Sequence, residues 1–96
     1  MAGALVVFSE EAQDYLIDKG AALTRRQRQV IARLVEQLSA DPLLGDPPAF
    51  PEWTPCDYWV ERHLGGRIHV AFYYDVERRL GRTTVRIRAV RIGMKM

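Results

Sequence analysis

A glutamate, two histidines and three arginines recur in the C-terminal half of the chain at intervals that a sheet would gather onto one face. In YWVERHLGGRIHVAFYYD, Glu61 and His63 stand two apart, as do Arg67 and His69; Arg86 and Arg88 repeat the interval in TTVRIRAVRIG. Alternate side chains of an extended strand share a face, so each pair projects the same way. A carboxylate, imidazoles and guanidiniums in one patch are the parts of general acid–base catalysis with stabilisation of a developing charge. The same residues in cross-strand pairs also serve as a plain structural device. Each histidine has the matching alternative of a surface or hydrogen-bonded structural imidazole.

These side chains need strands to hold them, and the pattern supplies four. ALVVF (4–8) is a short β-branched apolar run, the mark of a buried strand. CDYWVERHL (56–64) alternates Tyr58, Val60 and Leu64 with Trp59, Glu61 and His63, and Gly65-Gly66 predicts a tight hairpin turn. RIHVAFYY (67–74) follows, with Ile68, Val70, Phe72 and Tyr74 on one face and Arg67, His69, Ala71 and Tyr73 on the other. DVERRLGR (75–82) reads as a polar connection. TTVRIRAVRIG (83–93) sets Val85, Ile87 and Ala89 against Arg86 and Arg88.

Two helices precede the last three strands. Ser9 stands where an N-cap belongs, Glu10 and Glu11 suit the first turn, and Ala12, Tyr15 and Leu16 form an inward stripe, with the stem of Lys19 beside it, before Gly20 ends the helix. Thr24 with Gln27 predicts a capping box, and Val30, Ile31, Leu34, Val35 and Leu38 recur at helical spacing. Arg25, Arg26 and Arg28 oppose the dipole of this helix; they are solvated, paired with acids such as Asp14 and Asp18, or in contact with a phosphate or partner. All five prolines lie in DPLLGDPPAFPEWTP, which excludes a helix or central strand there. Phe50 and Trp53 are the expected anchors of this loop, with Glu52 between them. The order β-α-α-β-β-β predicts an α+β fold, two helices packed on one face of a mainly antiparallel four-stranded sheet. The opposite face then collects Glu61, His63, Arg67, His69, Arg86 and Arg88.

Ninety-six residues make a single domain, 1–96. No apolar run reaches the roughly 18 residues of a membrane span. The opening MAGALVVFSEE lacks a basic n-region, and the lone Cys56 excludes a disulfide framework or a cysteine metal cluster, so a cytoplasmic protein is expected. Charge is divided unevenly. Residues 1–59 hold five Lys/Arg against nine Asp/Glu, whereas residues 60–96 hold nine against three. Twelve of the fourteen cations are arginine, suited to bidentate contact with phosphate or carboxylate. The basic half points to a polyanionic partner or an acidic protein segment.

FSEEAQDYL at the first strand–helix junction, VEQLSADPLLGDP after the second helix, YWVERH, the glycine turn before RIHVAFYYD, and the closing RIRAVRIG together resemble the RelE/ParE superfamily of type II toxin–antitoxin toxins. SEEAQDYL is similar to the YoeB-type subset, and YWVERH followed by RIHVAFYY to HigB-like members. The resemblance spans nearly the whole chain. It implies a growth-inhibiting toxin neutralised by a cognate antitoxin protein. RelE-, YoeB- and HigB-like members act as mRNA interferases, cutting mRNA on the ribosome by 2′-hydroxyl attack on the adjacent phosphate. ParE-like members bind and poison DNA gyrase instead. A non-toxic antitoxin-binding homologue is the remaining alternative. No cofactor or metal is implied.

Carried over residue by residue, the resemblance makes Arg67 the phosphate-stabilising arginine at the start of the third strand. Glu52 corresponds to a loop glutamate that serves as base in YoeB-like enzymes; Glu61 is the alternative base, with His63 and His69 also open to that role. Past the last strand only Lys95 offers an acid or charge stabiliser. Arg62, Arg86, Arg88 and Arg91, with His69, are the candidates for contact with RNA or with an acidic segment of the antitoxin.

Overall fold

Local signals at the first helix operate as their chemistry requires. The Ser9 hydroxyl accepts from the Ala12 N–H at 3.1 Å and donates to the Arg88 carbonyl at 3.0 Å, so one residue caps the helix and ties it to the sheet. The computed structural model describes residues 3–47 and 56–94. Within them the elements run β1 (Leu5–Phe8), α1 (Glu10–Gly20), α2 (Arg25–Ala40), β2 (Tyr58–Gly65), β3 (Ile68–Arg79) and β4 (Arg82–Met94). The capping box at α2 is complete: Thr24 Oγ1 accepts from Gln27 N–H at 3.1 Å, and Gln27 Oε1 accepts from Thr24 N–H at 2.9 Å.

The architecture is α+β, two helices against a four-stranded mixed sheet of order β1-β4-β3-β2. β2, β3 and β4 form an antiparallel meander. The helices carry the chain from β1 to β2 at the opposite edge, and the meander then returns β4 beside β1 in parallel, with Val6 opposite Val85 and Phe8 opposite Ile87. Ala12, Ile31, Leu34 and Leu38 of the helices bury against Val60, Leu64, Val70, Phe72, Tyr74, Val85, Ile87 and Val90 of the sheet. Both helices therefore cover one face and leave the other open. Among the described residues no helix is long and apolar enough to cross a membrane.

Three local features depart from the strand pattern expected above. First, β2 and β3 shift register between His63 and Gly65, so Gly65 pairs with Ile68 and the turn is made by Gly66 and Arg67. The extra residue keeps Leu64 in the core, and Gly66 supplies the φ of 59° that the turn demands. Arg67 thus stands in the turn, not on the strand. Second, β4 carries a bulge: Tyr74 pairs with Ile87 but Tyr73 with Ala89, leaving Arg88 as the extra residue. The alternation reverses there, so Val90 enters the core and Ala89, expected beside Ile87, lies on the open face.

Third, residues 75–82 are not a connection. β3 and β4 stay paired to Arg79–Arg82 and close through Leu80 and Gly81, both with positive φ, 51° and 77°. At about 3.3 Å per residue, the 12 residues of β3 span ~40 Å, which accounts for the 41 Å long axis of the molecule. Only half of a hairpin signal marks this turn: Gly81 suits left-handed backbone, but leucine before it does not.

Candidate functional site

The register sorts the open face into rows. His63 lies opposite His69, and His69 opposite Gly93. The next row reads Glu61, Ala71, Arg91, and the next Trp59, Tyr73, Ala89. Asp75 and Arg86 follow. Trp59 sends both its N–H and its carbonyl outward to Asp46, at 2.8 and 2.9 Å, so Trp59–Tyr73 is a non-hydrogen-bonded pair, as are Glu61–Ala71 and His63–His69 on the same alternation. Side chains come closest at such pairs. The Trp59 and Tyr73 rings stack at 6.3 Å with 17° between planes, and the two imidazoles meet edge to face at 5.0 Å.

Small side chains set the relief. Ala71 and Gly93 leave a shallow depression of about 180 Å³, walled by Glu61 and His69 on one side, by Arg91 and Met94 on the other, and by Tyr73 at one end. Glu61 Oε1 is 3.7 Å from His69 Nδ1, each side chain only about a quarter exposed (26% and 24%). His63 lies just beyond. Its Nε2 contacts the Gly66 carbonyl at 2.7 Å; because a carbonyl only accepts, Nε2 carries the hydrogen and Nδ1 remains for other work. The arrangement offers a carboxylate–imidazole pair, a second imidazole and a cation around a floor without bulk. That combination can take a proton from a hydroxyl, return one to a leaving oxygen and hold an anion between.

The remaining candidates are distributed as follows. Arg67 stands exposed in the turn next to the histidine row, outside the depression's lining. Arg62 lies on the alternation of Val60 and Leu64, towards the helices; its guanidinium donates to the Glu61 carbonyl at 2.9 Å and to Gln37 Oε1 at 3.3 Å. Arg86 pairs with Glu77 at 3.3 Å and Arg88 with Asp75 at 3.1 Å on the open face. Arg91 donates to the Val90 carbonyl at 2.8 Å and lies 5.6 Å over the Tyr15 ring. Glu52 and Lys95 fall outside the described residues, as do Phe50 and Trp53.

Sequence reasoning missed Arg91 as part of the depression, because the bulge at Arg88 had to be known to put it there. The floor was more accessible: Ala71 and Tyr73 already alternate with the core residues of β3. Compared with known proteins, the chain matches no family model, no curated protein and no solved structure. The site therefore rests on its own chemistry. Among the described residues no group of three or more His, Cys, Asp or Glu side chains is placed to hold a metal ion. Two titratable groups beneath the face are perturbed. Burial, then the Asp75 charge, pushes the Cys56 thiol up, and burial pushes the Tyr74 phenol up although its oxygen accepts from Gly45 N–H at 2.8 Å.

Proposed function

We propose that this chain is a RelE/ParE-like toxin of a type II toxin–antitoxin system, acting in the cytoplasm as a ribosome-dependent mRNA endonuclease and held inactive by a cognate antitoxin. The observation that carries this reading is the depression in which the Glu61–His69 pair faces Arg91 across Ala71. The β-α-α-β-β-β order with one uncovered sheet face supports it.

In this mechanism the phosphodiester lies over Ala71. Glu61, with His69 in contact, takes the proton of the 2′-hydroxyl as its oxygen attacks the adjacent phosphorus. Arg91 meets the charge that builds on the phosphoryl oxygens, the place where electrostatic preorganisation acts most strongly. The P–O5′ bond breaks, and a protonated imidazole of the His63–His69 pair donates to the leaving oxygen. The products are a 2′,3′-cyclic phosphate and a free 5′-hydroxyl. Arg67, at the turn next to the histidine row, binds the backbone beyond the scissile phosphate. The role first expected of Arg67 passes to Arg91, and that of Glu52 to Glu61.

Inducible expression with mapping of mRNA 5′ ends tests this. Wild type should arrest growth and leave ribosome-dependent cuts with 5′-hydroxyl ends; Glu61→Gln should fold and lose the cuts by about 10²-fold or more, the usual worth of a general base. Intact mRNA with trapped gyrase–DNA complexes would replace this assignment with gyrase poisoning. Intact mRNA and normal growth would leave a non-toxic antitoxin-binding protein.

A further inference from the structure

Internal contacts account for four of the eight arginines of the basic half. Arg62, Arg86, Arg88 and Arg91 each hold a carbonyl, an amide or a carboxylate of the sheet or its neighbours. The side chains of Arg78, Arg79 and Arg82 are exposed and, among the described residues, take part in no ion pair or hydrogen bond. All three sit at the tip of the β3–β4 hairpin. That tip has lost its neighbours: β2 pairs with β3 only as far as Tyr74, and β1 pairs with β4 only from Thr84. What projects is a two-stranded ribbon.

Three local preferences are broken at this one turn. Arg79 lies directly opposite Arg82, and like charges in register destabilise a strand pair. Leu80 adopts a φ of 51°, a left-handed conformation that costs an L-residue with a branched side chain. Its side chain is also fully exposed, at 102% of the reference area, and touches no core. Among the described residues no acid pairs with either arginine and no apolar surface covers Leu80. Strain and frustration of this kind persist where the environment in use differs from water.

We infer that the β3–β4 hairpin tip is a duplex-DNA contact, in which the ribbon enters the major groove with Arg78, Arg79 and Arg82 on the phosphates and Leu80 against the base edges. The two faces of the ribbon decide the occupant. Arg78 follows the alternation of Val76, towards the helix side, while Arg79 and Arg82 follow that of Glu77 and Thr84 on the open side. A partner with anionic walls on both sides satisfies all three, whereas an acidic protein surface meets one face. The B-form major groove, about 12 Å wide, admits a two-stranded ribbon and presents thymine methyl groups to an apolar side chain. The corresponding groove of an RNA duplex is deep and too narrow. On the open side, a concavity of about 420 Å³ lies between Arg79, Leu80 and Arg82, bounded by Thr84 and by Glu77, whose carboxylate is already taken by Arg86. A phosphate seated there relieves the Arg79–Arg82 repulsion. This contact lies on the hairpin tip, away from the depression of the proposed nuclease site, and stands or falls independently of it.

Fluorescence anisotropy with a labelled two-turn DNA duplex tests the inference on the full chain. Arg79→Ala/Arg82→Ala should weaken binding about tenfold or more and flatten the log K against log salt slope by about 2, for two phosphates lost. Arg25→Ala/Arg26→Ala, with the same charge change at the start of α2, should bind as wild type does. Leu80→Gly relieves the left-handed strain, so it should fold at least as stably, yet bind severalfold more weakly; the loss should vanish on a duplex with deoxyuridine in place of thymidine. Equal losses from the two double-arginine variants would reduce the effect to net charge and overturn the site. An RNA duplex of the same sequence bound as tightly, or a polyglutamate peptide bound in preference to DNA, would overturn the choice of occupant.

Discussion

Arg91→Ala separates a structural from a catalytic role for the cation of the depression. The guanidinium has two visible contacts, the 2.8 Å donation to the Val90 carbonyl and the 5.6 Å approach to the Tyr15 ring. The first caps a carbonyl on the edge of β4. A part-buried bond of this kind to a neighbouring carbonyl contributes about 1 kcal/mol net, because water can still replace the donor. The cation–π contact with the half-buried Tyr15 ring adds about 0.5–1 kcal/mol. Alanine should therefore cost about 1.5–2 kcal/mol. For a domain of this size that lowers Tm by very roughly 6–16 °C. Even from a stability near 5 kcal/mol, about 3 kcal/mol remains, so under about 1% of molecules would be unfolded at 25 °C. Unfolding thus predicts almost no loss of activity. A charge stabiliser at the phosphoryl oxygens predicts a loss of about 10²–10³-fold. Thermal melts and primer-extension mapping of cleaved mRNA on the same preparations decide between them. Arg91→Lys should recover part of the activity, since it keeps the charge without the planar fork. A melt displaced as calculated, with cleavage within a factor of two of wild type, would confine Arg91 to the sheet edge and refute its place in the mechanism.

Other substitutions test the scaffold. Tyr15→Phe removes the hydroxyl that accepts from Ile92 N–H at 2.8 Å and donates to the Ile92 carbonyl at 3.2 Å; it should cost about 1–2 kcal/mol and speed exchange of the Ile92 amide, while leaving the aromatic ring under Arg91 and cleavage intact. Tyr74→Phe strands the Gly45 N–H beside a ring that is 0% exposed, so the urea midpoint should fall by an amount equivalent to about 1–3 kcal/mol at unchanged m. Cys56 and Tyr74 both bind their protons more tightly folded than unfolded. Above pH 9.0, and more steeply above 10.0, the unfolded chain releases protons first, so stability should decline with rising pH; Cys56→Ala/Tyr74→Phe should flatten that decline in urea titrations at stepped pH.

Much of this fold was legible because local chemistry and burial agree. The caps at Ser9 and Thr24 are short-range, and the stripe from Val30 to Leu38 repeats with the helical period against a single sheet face. The alternation of Ile68, Val70, Phe72 and Tyr74 likewise survives into the structure, because a one-residue slip would expose all four. Legibility ended where pairing partners decide the outcome. The bulge at Arg88 is set by what lies across from it, and it reverses the alternation midway along β4. The turn at Leu80-Gly81 has one turn-forming residue, Gly81, and Leu80 is held in left-handed backbone by the long paired strands on either side. Both features depend on the strand alongside and not on local sequence.

The same cause explains what was and was not visible of the site. Glu61, His63 and His69 lie on two strands joined by a glycine turn, so sequence spacing alone brings them together. Arg67 was misplaced by the single extra residue that keeps Leu64 buried; the core's demand on Leu64 outweighs the turn's indifference to Arg67. The charge of the basic half was visible, but its division was not. Arg62 and Arg91 cap carbonyls on the sheet's two edges, where unpaired groups would otherwise invite another chain. Arg86 and Arg88 neutralise acids on the open face. Arg91 also lines the depression, while the exposed arginines without such contacts stand at opposite ends of the long hairpin, Arg67 near the histidine row and Arg78, Arg79 and Arg82 at the far tip. The excess of nine cations over three acids in residues 60–96 is thus divided between internal contacts of the sheet and exposed groups at the two ends of one hairpin.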